Sequence, residues 1–113
     1  MKFEGIARLR IHPGKLEEFK ALQSQCMAIT RGKDTGTLQY DVFFNEDASE
    51  CIVHERYRDP DALLEHLANL GETATAIFQL CSAEGEVLGT PSAELRKSLE
   101  GGPVRIFTPF ASL

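Results

Sequence analysis

Three residues that can carry out acid–base chemistry lie close together in the middle of this sequence: Glu55, Tyr57 and His66. Side chains alternate between the two faces of a strand, so Glu55 and Tyr57 would share one face if this stretch is extended. An imidazole changes its charge near neutral pH, and a carboxyl group or a phenol beside it can hold or exchange a proton. We therefore take His66, Tyr57 and Glu55 as the candidate catalytic group.

Each of these side chains also has a purely structural interpretation. His66 could be a partly buried helix residue that is bonded to a backbone carbonyl or to a carboxylate. Glu55 could form an ion pair with a neighbouring arginine. Tyr57, like Tyr40 on the preceding predicted strand, could pack in the sheet with its hydroxyl satisfied.

Two elements must hold this group in place, namely a strand over residues 51–58 and a helix that follows it directly. Asp59 can cap the helix, and Pro60 fits its first position, where no amide hydrogen is needed. Gly71 can end the helix in a left-handed conformation. Between them the leucines recur at helical spacing: Leu63, Leu64, Leu67 and Leu70. His66 falls at the edge of this leucine stripe, so we expect its ring to touch the core and to keep contact with solvent.

The remaining pattern predicts an α+β domain. The predicted elements are a strand over 2–12, a helix over 15–30, strands over 37–45 and 51–58, a helix from 60 that restarts after Gly71 and continues to about 80, a strand over 83–89, a helix over 90–99 and a strand over 104–108. The first six match the ferredoxin-like β-α-β-β-α-β arrangement, an antiparallel sheet with helices on one face. We expect a ferredoxin-like unit over 1–90 and a C-terminal helix–strand extension over 91–113, packed on the same domain or on a dimer seam, in a single domain overall.

The two faces of the predicted sheet differ in character. In the strand over 37–45, the set expected to face the helices is Leu38, Tyr40, Val42 and Phe44. The opposite face carries Ile6, Phe43 and Ile52 among polar groups. Arg8 lies on that face too, which is either a wet edge or part of a ligand cavity. A second copy of the chain is the simplest cover for such a surface, so we expect a homodimer.

Composition excludes several classes of function. The chain has 113 residues, 42% of them hydrophobic, and a formal net charge of -5 with acidic and basic residues mixed. No basic patch suggests a nucleic-acid partner, and no apolar run approaches the length of a membrane span. The first residues contain no apolar signal core, so we expect a cytoplasmic protein.

The cysteines, Cys26, Cys51 and Cys81, form no CxxC pair and are expected to be buried thiols. Histidine and carboxylate spacing predicts no metal site.

Three stretches of the chain carry a resemblance to a known family: RLRIHPGKLEEF, GTLQYDVFFN and ERYRDPDALLEHL. With a Glu and an aromatic residue near the end of the third strand and a His in the next helix, the chain resembles the antibiotic biosynthesis monooxygenase family. That family belongs to the dimeric α+β barrel superfamily. The resemblance implies a ferredoxin-like α+β fold, and it covers residues 8 to 67.

The resemblance also implies a chemistry. Members of the family oxidise quinols or aromatic polyketides with molecular oxygen, without flavin or metal, so no cofactor is expected. An electron-rich phenol can itself reduce oxygen once it is deprotonated, and the protein supplies an apolar pocket and a base. By this resemblance His66 is the base, Glu55 holds the imidazole or a water molecule, and Tyr57 orients the substrate. The implied substrate-binding residues are Tyr40, Phe44, Leu67 and Arg8.

A second branch of the family degrades haem, and the resemblance to that branch fails at its functional residues. Those enzymes use an Asn on the first strand, a Trp in the helix and a His further on. The corresponding positions here are Ala7, His66 and Ala76, and the chain contains no Trp. A non-catalytic dimer that binds a small hydrophobic molecule is the alternative function. A deep pocket beside His66 would favour the oxygenase, and a pocket filled by side chains would favour the binding protein.

Overall fold

A mixed, open sheet with helices on one face forms the framework of the molecule. The computed structural model describes residues 2–113, and within these residues the chain forms five strands and four helices. In chain order they are β1 (Phe3–Ile11), α1 (Leu16–Lys33), β2 (Thr37–Phe44), β3 (Glu50–Tyr57), α2 (Pro60–Leu70), α3 (Glu72–Phe78), β4 (Cys81–Leu88), α4 (Ala93–Leu99) and β5 (Val104–Phe107).

The strand order is β2-β3-β1-β4-β5. The first four strands pair antiparallel, with β1 in the centre between β3 and β4. This arrangement confirms the predicted ferredoxin-like α+β fold. The C-terminal extension contributes α4 and then β5, which pairs in parallel with β4 and makes the sheet mixed. The sheet does not close into a barrel within one chain.

The alternation of side chains along β1 and β3 produces one buried and one outer face. Phe3, Leu9 and Ile11 point towards the helices and are buried, whereas Arg8 and Arg10 point outward and are exposed. One core cluster joins this inner face to α1 and α3, and a second joins it to α2 and α4 through residues such as Leu95. Among residues 2–113, no helix is both long and apolar enough to cross a lipid bilayer.

The local signals around α2 have the predicted effect. The side chain of Asp59 accepts a hydrogen bond from the backbone N–H of Ala62 at 2.9 Å, and Pro60 occupies the first turn. Gly71 has a φ of +46°, which lets the chain end α2 and begin α3 without the steric penalty that a side chain would carry.

One predicted orientation is wrong. Leu38 does not face the helices, because β2 contains an irregularity between Thr37 and Gln39. Thr37 pairs with Tyr57 and Gln39 pairs with Arg56, so one extra residue is accommodated at Leu38. The side chain of Leu38 is consequently 54% exposed. Tyr40 and Val42 keep the inward orientation that simple alternation predicts.

Several boundaries also move. Helix α1 continues to Lys33 rather than ending near Thr30, and its last turn carries Arg31 and Lys33, which interact favourably with the negative end of the helix dipole. Strand β4 begins at Cys81 rather than near Ala83, since the ladder with β1 starts at that position.

Candidate active site

The turn between α1 and β2 docks directly onto α2, and this contact assembles the candidate site. The backbone N–H of Thr35 donates to Glu65 Oε1 at 2.8 Å, and the Thr35 hydroxyl binds the same carboxylate. A Cβ atom placed on Gly36 would lie 2.6 Å from the Cβ of Ala62, which is too close for any side chain. Glycine at this position therefore lets the turn approach the helix, and Asp34, two residues earlier, comes to lie next to His66.

Asp34 and His66 form a buried hydrogen-bonded pair. Oδ2 of Asp34 lies 2.6 Å from Nδ1 of His66, and the two side chains are 1% and 2% exposed. Asn69 Nδ2 donates to Asp34 Oδ1 at 2.8 Å, and the hydroxyl of Thr37 donates to Oδ2 at 2.6 Å. Burial alone would raise the pKa of Asp34, but the hydrogen bonds from Asn69, Thr37 and His66 outweigh it and hold that pKa below its usual range.

This pair determines which imidazole nitrogen is available for chemistry. An ionised carboxylate can only accept hydrogen bonds, so Nδ1 of His66 carries a proton towards Asp34. In the neutral ring the other nitrogen, Nε2, then has a free lone pair. A carboxylate behind a histidine also stabilises the imidazolium that forms when Nε2 takes up a proton. A histidine held in this way is chemically able to act as a general base.

Glu55 and Tyr57 lie on the Nε2 side of the imidazole. Oε1 of Glu55 is 3.7 Å from Nε2, which is an electrostatic contact rather than a hydrogen bond. The hydroxyl of Tyr57 donates to Oε1 of Glu55. Burial raises the pKa of Glu55, although the Tyr57 hydrogen bond and the charge of His66 oppose this effect. Burial together with the Glu55 charge raises the pKa of Tyr57, so this hydroxyl is a donor and not a base.

Two aromatic rings flank the imidazole. The ring of Tyr40 lies 5.4 Å from that of His66, and the ring of Tyr57 lies 5.6 Å away, measured between centroids. The hydroxyl of Tyr40 donates to Oε1 of the buried Gln23 at 3.3 Å. Burial raises the pKa of Tyr40, so its phenol also stays protonated.

A small cavity lies between the sheet and the helices beside these polar groups. It has a volume of about 100 Å³, and its lining includes His66, Glu55, Tyr40 and Leu67. A second compartment of about 140 Å³ adjoins it over β1 and β4. Both compartments are lined by Ala7, Leu9, Glu55, Leu67 and Phe78. The cavity thus has a polar end at the imidazole and an apolar end further along the sheet.

The structure does not bring every residue of the predicted site together. Leu67 lines the cavity beside His66, as do Glu55 and Tyr40. Phe44 lies at the far end of β2, where its ring packs against Phe19 with a centroid distance of 6.1 Å, and it does not line this cavity. Arg8 points from the outer face of the sheet and pairs with Glu86.

The predicted environment of His66 needs a correction. We expected the ring to lie at a border and to keep solvent contact, but it is 2% exposed. The leucine stripe alone does not account for this burial. The α1–β2 turn covers the side of α2 that the helical pattern predicts to be polar, and it supplies the partner of the imidazole.

Sequence reasoning missed Asp34, Asn69, Gln23 and Gly5. Asp34 belongs to a polar turn, and nothing in its spacing relates it to His66. Asn69 carried a usable signal, because it stands three residues after His66 and side chains at this spacing share a helix face.

The thiols of Cys26 and Cys51 are buried as expected, and burial raises the pKa of each to about 11. Among residues 2–113, no three histidine, cysteine or acidic side chains converge as metal ligands.

The sheet order and the helices on one face make this chain one of the class of small ferredoxin-like α+β proteins. Within that class, the sequence profile described as antibiotic biosynthesis monooxygenase matches residues 3–76. The chain belongs to this family, and the resemblance found in the sequence is confirmed. No curated protein sequence matches the chain.

Solved structures show how far the likeness extends. The crystal structure of MupZ from Pseudomonas fluorescens is 27% identical with a TM-score of 0.87, and the match covers 99% of this chain and 88% of MupZ. Rv0793 from Mycobacterium tuberculosis is 26% identical with a TM-score of 0.70, covering 81% of this chain and 97% of Rv0793. SnoaB from Streptomyces nogalater, described as a cofactor-independent oxygenase, is 20% identical with a TM-score of 0.69, which shows the shared fold alone.

Proposed function

We propose that this chain is a cofactor-independent monooxygenase that oxidises a small phenol or quinol with molecular oxygen. The observation that carries the proposal is the Asp34–His66 pair at the polar end of an apolar cavity. Membership of the antibiotic biosynthesis monooxygenase family supports the reaction class. The oxygenase activity described for SnoaB, which shares the fold, is consistent with it.

The first step is deprotonation of the substrate. A phenol in the cavity gives its proton to Nε2 of His66, and the negative charge of Asp34 stabilises the imidazolium that results. The apolar lining beside these groups strengthens their electrostatic effect on the reacting atoms once a bound substrate displaces water.

The second step is electron transfer from the phenolate to oxygen. One electron passes to O₂, and the resulting superoxide and phenoxyl radical combine to form a carbon–oxygen bond. The peroxide anion takes the proton that His66 holds and becomes a hydroperoxide. The C–H bond at the same ring carbon then breaks together with the O–O bond, so that this proton and the departing hydroxide leave as water and the ring becomes a quinone. One oxygen atom of O₂ enters the product and the other leaves in water, so no external reductant is needed.

A non-catalytic protein that binds a small hydrophobic molecule is the second candidate. The observation in its favour is that Leu67 and Phe78 line a cavity whose compartments measure about 100 and 140 Å³, below the roughly 300 Å³ of a typical small-molecule pocket. Both candidates predict ligand binding, but only the oxygenase consumes O₂.

We also propose that the protein is a homodimer whose outer sheet faces meet. Phe43 and Ile52 are cross-strand neighbours on this face and are 55% and 42% exposed. Phe107 on β5 adds a third exposed apolar side chain, so the C-terminal extension would reach the dimer seam. The free thiols of the chain suit a reducing compartment such as the cytoplasm.

Conversion of 1-naphthol under isotopically labelled O₂ tests the oxygenase. The expected product is 1,4-naphthoquinone with one labelled oxygen, formed in proportion to protein concentration and with no release of hydrogen peroxide. Spontaneous oxidation, measured without protein, is the background. Binding of 1-naphthol without labelled product would favour the binding protein and contradict the oxygenase.

A further inference from the structure

We infer that the connection between α4 and β5, here called the wall segment (residues 99–104), sets the largest substrate the cavity accepts, namely a phenol with two fused rings. The inference rests on the proposed function for the phenol class of the ligand. It concerns the end of the cavity opposite His66, to which neither the family match nor the proposed reaction assigns a role.

The wall segment supplies one side of the apolar compartment. Leu99, Pro103 and Val104 line the 140 Å³ space together with Leu63 and Leu67 of α2. A ligand whose hydroxyl contacts the imidazole would therefore extend its apolar body towards these three side chains. Residues at that end contact the substrate but none of the groups that exchange protons.

The wall segment is fixed at both ends. Before it, Leu95 of α4 is fully buried in the core cluster that also contains Leu63. At its other end, the backbone N–H of Gly85 donates to the carbonyl of Pro103 at 3.2 Å, and β5 continues the pairing with β4. A wall held from two sides can discriminate ligands by size, because it does not move aside at low cost.

The floor of the compartment is kept open by a glycine that the backbone does not require. A Cβ atom on Gly5 would lie 3.9 Å from the Glu86 carbonyl oxygen and 4.0 Å from the Glu55 Cβ, which are ordinary contacts. On the neighbouring strand, a Cβ on Gly85 would lie 2.5 Å from the Ile6 carbonyl oxygen, so packing alone explains that glycine. The missing side chain at position 5 instead leaves space for a ligand beside Glu55.

The volumes point to the size of the ligand. An apolar cavity of about 150 Å³ accommodates benzene. Each compartment, of about 100 and 140 Å³, is smaller than that, but the two adjoin each other, so their combined space is larger than a one-ring ligand needs and leaves room for a second, fused ring against the wall segment. A third fused ring would meet the side chains of Leu99 and Val104.

The wall segment lies outside the part of the chain that matches the family profile. The family profile ends at residue 76, before α4 begins. The wall segment is therefore outside the matched region, so its side chains can differ without changing the part of the sequence that the family profile matches.

The test uses anaerobic calorimetric titration with phenol, 1-naphthol and 1-anthrol, so that binding is measured without turnover. Val104→Phe should weaken 1-naphthol binding by about tenfold or more and leave phenol binding within about twofold. Ile106→Phe is the matched control, because Ile106 is a half-buried residue on the same face of β5 and does not line the cavity. It should leave both affinities within about twofold.

Val104→Ala is the second variant, in case the larger side chain prevents folding. It should improve the affinity for 1-anthrol relative to 1-naphthol by about fivefold or more. The inference is overturned if the parent protein does not bind 1-naphthol, if it binds 1-anthrol equally well, or if Val104 and Ile106 variants behave alike. Labelled-oxygen turnover is measured separately, so an inactive protein with the predicted size preference would contradict the proposed function and support the wall.

Discussion

At the scale of single residues, the account depends on the ionised state of Asp34. Its carboxylate accepts hydrogen bonds from His66, Asn69 and Thr37, and it is this acceptor role that fixes the tautomer of the imidazole. An amide of nearly the same shape would lose this property, since it can donate to Nδ1 and place the imidazole proton on Nε2 instead.

Asp34→Asn should therefore lower turnover by about 10²-fold or more while the cavity keeps its affinity for 1-naphthol. It should also reduce the free energy of unfolding at pH 7 by about 2 kcal/mol, because charge-assisted hydrogen bonds are lost. A lowered pKa stabilises the fold above the usual aspartate pKa of about 3.9, and that contribution is lost as the pH falls towards the folded-state pKa. Urea unfolding should therefore show a smaller difference in unfolding free energy between variant and parent at pH 3 than at pH 7. An equal difference at the two pH values would contradict an ionised Asp34.

We predict the opposite pH dependence of stability for Glu55. Its pKa is raised by burial, so folding favours the protonated form. The stability that this protonated carboxyl contributes is therefore fully present below the usual glutamate pKa of about 4.3. It is lost as the pH rises through the raised pKa of Glu55 in the folded protein. As the pH rises from 4 to 8, the Glu55→Gln variant should therefore become more stable relative to the parent, measured as the free energy of unfolding. Parallel stability curves would show that the Glu55 pKa is not raised.

At the scale of elements, the site is made by the docking of a turn onto a helix. Gly36 has no side chain because Ala62 occupies the space, and Thr35 is bonded to Glu65 of the same helix. The site should therefore be sensitive to a substitution that touches none of its reacting groups.

Gly36→Ala should destabilise the protein by about 1 to 3 kcal/mol through overpacking, and it should lower turnover in the protein that remains folded. Gly32→Ala is the matched control, because Gly32 lies within α1 and its Cβ would have no neighbour within 4 Å. The control should stabilise the protein by up to about 1 kcal/mol and leave turnover unchanged. Equal melting temperatures for the two variants would contradict the docking role of Gly36.

The sequence predicted elements better than it predicted contacts between them. Asp59 and Gly71 act through their nearest neighbours in the chain, so the limits of α2 were readable. The exposure of Leu38 could not be predicted, because it results from an extra residue in β2 that shifts the alternation of side chains, and no residue type signals that extra residue in the sequence. Asp34 was not identified either, because it meets His66 only after α1, β2 and α2 have packed. Local signals describe backbone conformation, whereas the proposed base depends on a tertiary contact.

At the scale of the whole molecule, the outer face of the sheet remains to be covered. It carries the Arg8–Glu86 ion pair and the polar contact between His54 and Glu4 around the exposed Phe43 and Ile52. Apolar side chains ringed by charges are typical of an interface between subunits.

The double variant Phe43→Glu and Ile52→Glu should dissociate the proposed homodimer, because it places charges in a face that needs to lose water. A stable interface of this kind buries roughly 2,000 Å² in total. Light scattering should report a dimer for the parent and for the control Ala28→Glu, which alters the exposed side of α1, and a monomer for the double variant. A parent that is monomeric at micromolar concentration would contradict the proposed assembly.

The most direct test of the central claim is the rate at which His66→Gln incorporates labelled oxygen into 1-naphthol. The account predicts a loss of about 10² to 10⁴ relative to the parent, the usual contribution of a general base, with 1-naphthol affinity largely retained. Because His66 is buried and bonded to Asp34, a lower melting temperature is also expected, so the rate is measured well below it and expressed per folded protein. A variant that forms labelled quinone at the parent's rate would contradict the assignment of His66 as the base.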